Sequence, residues 1–191
     1  MRSSFESLSK ILVTDCRKGE SGNMFEVGEY IVYGVKGVFK IEDITHIDIS
    51  GADKNRLYYV LAPIGDGGGK IYAPTDNQKI TMRKVISKEE ADQLIEELPK
   101  IDLLWVPDDR QREAKYKEAL NTCDYRAWVS IVKTLYLRKK ERTAQGKKIT
   151  ALDERYMRTA ENELYSELSL TLGIPKDEME GYIRERLKTV N

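Results

Sequence analysis

Few side chains in this sequence are suited to covalent chemistry, and their spacing points away from catalysis. There is one histidine, His46, so neither a histidine-based triad nor a multi-histidine metal site can be assembled. It sits beside a run with strand character and is expected on the surface. The two cysteines, Cys16 and Cys123, lie far apart in unlike contexts, which fits free thiols in a reducing compartment. Gly65-Asp66-Gly67-Gly68-Gly69-Lys70 invites comparison with a phosphate-binding loop. That loop needs Ser or Thr after the lysine and a helix beyond it. Here Ile71 and a strand follow, so the glycines are read as a hairpin turn. The carboxylates are spread along helices, mostly at helical spacing from Lys or Arg, which is an ordinary solvated face. This inventory calls for no cofactor and describes a binding protein rather than an enzyme.

Charge patterning is more informative. The 191 residues carry 32 Lys plus Arg and 32 Asp plus Glu, for a net charge of zero. Between Lys133 and Arg158, however, nine basic residues face three acids, a net of +6. The cluster (Lys133, Arg138, Lys139, Lys140, Arg142, Lys147, Lys148, Arg155 and Arg158) ends one helical pattern, crosses a glycine-containing loop and begins another. Free N–H groups near Thr150 add to its attraction for phosphate. Such a patch suits the DNA backbone; the alternative is that basic residues simply complement a helix dipole. Trp105 lies in a linker between Leu104 and Val106-Pro107, ahead of an arginine-rich helix. It is expected to pack two domains together, with presentation of its ring to a base step as the alternative. Tyr116, Trp128 and Tyr136 fall on helical stripes and are expected to pack inward.

These residues need a scaffold in two parts. Residues 1–23 are polar and finish in Gly19-Glu20-Ser21-Gly22-Asn23, so they read as a weakly ordered extension, and Met24 is a candidate physiological start. From 24 to 86 the pattern is of short strands. Tyr30-Ile31-Val32-Tyr33 and Val38 to Ile44 flank the turn Gly34-Val35-Lys36-Gly37, Ile47-Asp48-Ile49 follows, and Leu57 to Ala62 pairs with Lys70 to Pro74. From 87 to 191 the pattern is helical. Ser87-Lys88-Glu89-Glu90 is a capping box. Further helices are expected from Asp108 to Leu120, from Asp124 to Arg142, from Thr150 to Leu172 with Gly173 as the stop, and from Pro175 to Lys188. The apolar stripe of the Asp124 helix is Trp128, Ile131, Val132, Leu135 and Tyr136. Strands first and helices after make the chain α+β, a small curled sheet or barrel followed by an all-α domain. No apolar run approaches the roughly 20 residues that span a bilayer, so the protein is expected to be cytoplasmic, without membrane contact.

The order of these features resembles the CarD/CdnL family of bacterial transcription regulators. Its first module also resembles the RNA-polymerase-interacting domain of the transcription-repair coupling factor. The resemblance runs through Gly28, Tyr30-Ile31-Val32-Tyr33, Gly37, Tyr59-Val60-Leu61 and Tyr72-Ala73-Pro74. It continues in Lys115-Tyr116-Lys117-x-x-Leu120, Ile131-Val132-Lys133-x-Leu135-Tyr136, Ile149-Thr150-x-x-Asp153-x-Arg155-x-Met157-x-x-Ala160 and Leu164-x-x-Glu167-Leu168. It implies a Tudor-like or SH3-like β-barrel that binds the RNA polymerase β subunit, and a helical domain that contacts promoter DNA and stabilises the open complex. It also implies a monomer that catalyses no reaction.

Carried onto this chain, the resemblance implies polymerase binding at Tyr58, Ile71 and Tyr72, where Tyr72 occupies a position at which relatives carry arginine. DNA contact falls to Arg112, Lys115, Lys133, Arg138, Lys139, Arg142, Lys147, Lys148, Thr150 and Arg155. Family members place a tryptophan wedge four residues before the residue matching Tyr116; here that position is Arg112, an arginine that suits a narrow minor groove. Trp105 is the other candidate wedge. The rival readings are a polymerase- or protein-binding adaptor that never touches DNA, and an enzyme using the glycine-rich turn for nucleotide.

Overall fold

A computed structural model describes residues 25–48, 53–65 and 68–190. The extension before Phe25, with Met24 and Cys16, and part of the Gly65–Lys70 turn lie outside the described residues. Five antiparallel strands come first: β1 (Tyr30–Tyr33), β2 (Val38–His46), β3 (Leu57–Pro63), β4 (Ile71–Pro74) and β5 (Met82–Lys84). They form one sheet in the order β4-β3-β2-β1-β5. The β1–β2 turn works because Gly34 and Gly37 hold φ of +55° and +105°, a region open to glycine at no steric cost. At Gly34 a Cβ would also stand 2.8 Å from Ile80 Cγ2.

Alternation along the strands divides the sheet between two cores. Ile31, Tyr33, Phe39, Ile41, Tyr59, Leu61, Ala73 and Met82 close on one another with Phe25. Val32 and Val38 point the opposite way and join the helical core. The expected barrel is an open sheet among the described residues: β4 pairs only with β3, and β5 only with β1. The expected short strand Ile47–Ile49 is also corrected. Strand β2 instead runs unbroken to His46 through a bulge between Ile41 and Asp43, and Ile49 lies outside the described residues. His46 is exposed.

The helices are α1 (Lys88–Glu97), α2 (Arg112–Asn121), α3 (Tyr125–Ala144), α4 (Ala151–Leu172) and α5 (Met179–Val190). Their ends follow local chemistry. The Ser87 hydroxyl accepts from the Glu90 amide while the Glu90 carboxylate accepts from the Ser87 amide. Asp124 caps α3, Thr150 caps α4, and Gly173 stops α4 in the left-handed region. Helix α2 starts at Arg112 rather than Asp108; Asp108 instead closes a preceding turn, its side chain accepting from the Arg110 amide at 2.5 Å and its carbonyl from the Gln111 amide at 3.1 Å. The helices pack around Trp128, Ile131, Leu135, Tyr116, Leu164 and Leu168. Tyr136 is a correction: it lies on the edge of the α3 stripe and is 58% exposed.

Between β5 and α1 only Val85, Ile86 and Ser87 intervene, and Ile86 is buried in the helical core. Sheet and helices therefore share packing across a very short connection.

Candidate functional site

The first candidate surface is the free edge of the sheet. Strand β4 bonds to β3 on one side through the register Tyr59↔Ala73 and Val60↔Tyr72. Its other side is open among the described residues, and an open edge presents unpaired N–H and C=O groups to an incoming strand. Tyr72 stands out from it, 43% exposed, while Ile71 is half-buried. A shallow depression around Tyr72 is lined by Glu42, Asp43, Val60 and Lys70, with Lys70 Nζ 2.7 Å from Glu42. Tyr58 is placed differently: its ring is buried and its hydroxyl accepts from the Asp53 amide at 3.2 Å. It supports the strand rather than the surface.

The second surface is the end of α3, the following loop and the start of α4. The structure separates the basic residues there into two sets. Arg112 is 8% exposed. One of its Nη atoms pairs with Asp109, and the other lies 3.5 Å from the fully buried Asp153. Asp153 also accepts from Arg138 Nε at 3.0 Å and from the Tyr116 hydroxyl at 3.3 Å. Burial first, and then the Asp153 charge, push the Tyr116 phenol up. Lys133 donates to the carbonyls of Leu98, Pro99 and Ile101, and so fastens the end of the first helical segment. Lys115 pairs with Glu118 at 2.8 Å, and Arg155 with Glu113 at 2.7 Å.

The other set faces outward. Lys139, Lys140, Lys147 and Lys148 are exposed, and among the described residues no carboxylate lies within ion-pair distance of them. Arg142 donates to the Lys148 carbonyl at 2.8 Å, which folds the α3–α4 loop back and gathers the lysines. The Thr150 hydroxyl is already used, accepting from the Asp153 amide at 3.1 Å.

Trp105 is 73% exposed, which overturns its expected role in packing the domains together. The reason is alternation. In the extended segment Asp102–Val106, Leu104 and Val106 turn into the helical core, so Leu103 and Trp105 point out. The segment is tied along α3: Ser130 Oγ donates to the Asp102 carbonyl at 2.8 Å, and the Leu104 amide donates to Thr134 Oγ1 at 2.8 Å. Four residues further on, Asp109 lies 3.6 Å from Arg138. The linker thus tracks α3 toward its basic end, with the indole carried on the outer side. Tyr136 and Leu137, exposed on the same stretch of α3, were missed as surface residues because they border the apolar stripe. Lys140 belongs to the basic cluster but not to the residues given DNA contact by the resemblance, although it adjoins Lys139 in the same run.

An open-edged antiparallel sheet joined to a helical unit with a lysine-rich end defines a two-part binding protein. Comparison with known families matches residues 25–86 to the CarD-like/TRCF RID domain and residues 107–184 to the CarD, C-terminal domain. The chain belongs to the CarD family, whose members are non-catalytic transcription factors. Its RNA-polymerase-interacting domain marks it as a polymerase-binding transcription regulator. No individual curated protein matches the chain. Among the described residues no helix is long and apolar enough to cross a membrane.

Proposed function

We propose that this protein docks on the RNA polymerase β subunit through the edge formed by Ile71 and Tyr72, and lays the α3–α4 end on promoter DNA. In doing so it stabilises the open complex. It acts in the cytoplasm, as a monomer. The observation that carries the DNA half is the placement of Trp105, an exposed indole held along α3 on the way to Lys139, Lys140, Lys147 and Lys148. Lysines on the phosphates supply affinity without sequence preference, while a flat ring set against an unstacked step favours melted over closed DNA. Only such differential contact shifts an equilibrium between two states.

In this reading Lys139, Arg142, Lys147 and Lys148 face the backbone, with Lys140 added. Arg112, Lys133, Arg138 and Thr150 build the surface from beneath. Lys115 and Arg155 lie beside it, their charges shared with Glu118 and Glu113. The adaptor reading draws support from this internal pairing, which lowers the free positive charge. Binding to a forked promoter fragment across a salt series separates the two. DNA contact requires a steep fall in affinity with salt, and a slope near zero favours the adaptor. Capture of the isolated β-subunit lobe by the native chain, lost on Tyr72→Asp, tests the docking edge.

A further inference from the structure

The connection between the two units is where a two-part protein would bend, and here it is gripped by α4 of the helical unit. The Ile86 amide donates to Glu167 Oε1 at 3.0 Å, and the Ile86 carbonyl accepts from Thr171 Oγ1 at 3.1 Å. On either side, the Val85 amide donates to the Tyr30 carbonyl at 3.2 Å and the Ser87 amide to Glu90 Oε2 at 2.7 Å. Every backbone donor of the connection is therefore bonded. Glu167 and Thr171 are four residues apart on one face of α4, so a single helix face holds both polar groups of one residue.

The same carboxylate holds the sheet. Arg83, on β5, reaches Glu167 with both terminal nitrogens, one of them at 2.7 Å from Oε2. Its Nε donates to the Cys123 carbonyl at 2.5 Å, and the guanidinium carbon lies 5.5 Å from the ring centres of Tyr125 and Trp128. Cys123, at φ +61° in the α2–α3 turn, directs its buried thiol at the Gly34 carbonyl at 3.7 Å. A bidentate, desolvated guanidinium–carboxylate pair is directional as well as strong. Burial alone would lower the Arg83 pKa, but the Glu167 carboxylate outweighs it and raises it.

We propose that Arg83, Glu167 and Thr171 form a hinge clamp that fixes the span between the β4 edge and the Trp105–lysine face. Docking at one surface then delivers the other to its target. The idea rests on the two-surface reading above. Two linked contacts reinforce each other only when the link matches the span between their targets, and a loosened link forfeits that gain without altering either contact. Glu167 and Arg83 are positioning residues in this scheme.

The test is Glu167→Ala in the full chain. The expected result is polymerase-lobe binding and forked-DNA binding, each measured alone, within about twofold of native, while the extension of open-complex lifetime falls by about tenfold or more. Glu167→Gln, which retains an acceptor for Ile86 but turns an amide N–H toward one terminal nitrogen of Arg83, should recover only part of that loss. A folded Glu167→Ala protein that extends the lifetime as the native chain does overturns the clamp, as does a parallel loss of all three activities in a folded variant. If the alanine variant fails to fold, amide exchange in the native chain decides. Ile86 exchanging as slowly as the slowest amides of α4 supports the clamp, and exchange a hundredfold faster than theirs overturns it. A native chain that leaves the lifetime unchanged refutes the proposed function instead, and the exchange result still judges the clamp.

Discussion

Replacing Asp153 by asparagine removes a charge and almost no volume, so it isolates the electrostatic part of the packing between α2, α3 and α4. Asp153 is fully buried. Its carboxylate serves Arg112 at 3.5 Å, Arg138 at 3.0 Å and the Tyr116 hydroxyl at 3.3 Å. Removing one partner of a buried pair typically costs about 3–5 kcal/mol, because the other charge is stranded. Arg112 keeps Asp109, which is 75% exposed, and Arg138 retains partial contact with water, so the lower end applies: about 3 kcal/mol. For a chain of this size that corresponds to a fall in Tm of about 6–12 °C. Urea unfolding followed by the fluorescence of buried Trp128 is the assay, with the midpoint shifting and the slope unchanged. Asp109→Asn, at the exposed end of the network, should cost under about 1 kcal/mol. A loss below about 1 kcal/mol for Asp153→Asn would refute the view that Arg112 is held in the interior and free it for the groove.

Trp105→Ala should leave Tm within about 2 °C, since an exposed side chain contributes within about ±0.5 kcal/mol to stability, yet shorten open-complex lifetime; a large drop in Tm would restore the packing role. Changing Lys139, Lys140, Lys147 and Lys148 together to glutamine should flatten the salt dependence of duplex binding by up to about 3.6 in slope, and leave polymerase-lobe capture unchanged. Glu163 is buried beside the β1–β2 turn, its Oε2 close to Gly37. Burial, helped by the neighbouring Glu167, raises its pKa above the ordinary 4.5, against opposition from Asn162, Lys176 and the Gly37 amide. A raised folded-state value means that its stabilisation is complete below the unfolded pKa and is lost as pH rises through the folded one. Glu163→Gln should therefore gain on the native chain as pH rises through that window. Parallel stability–pH profiles for the two proteins would contradict this.

What was legible in the sequence follows the range of the forces involved. Helix ends are set within four residues, so Ser87, Asp124, Thr150 and Gly173 announced α1, α3 and α4 directly. Strand β5 was not foreseen because Met82-Arg83-Lys84 is too short to show an alternating pattern, and its place depends on pairing with β1. The outward turn of Trp105 was written in the alternation of Leu103, Leu104, Trp105 and Val106, but a five-residue extended segment without a sheet gives no reason to apply strand periodicity. Arg112 looked like a surface cation because its carboxylate, Asp153, is 41 residues away. The Arg83–Glu167 pair, 84 residues apart, left no trace in the sequence at all. The lysine cluster was visible as charge; which of its members are free is a property of the folded loop.

The most direct test of the account is the lifetime of promoter open complexes formed by the host polymerase, measured after a competitor challenge with and without this protein. The account predicts a longer lifetime with the native chain, most of it lost with Trp105→Ala and with the four-lysine variant. A polymerase-bound native chain that leaves the lifetime unchanged would contradict it.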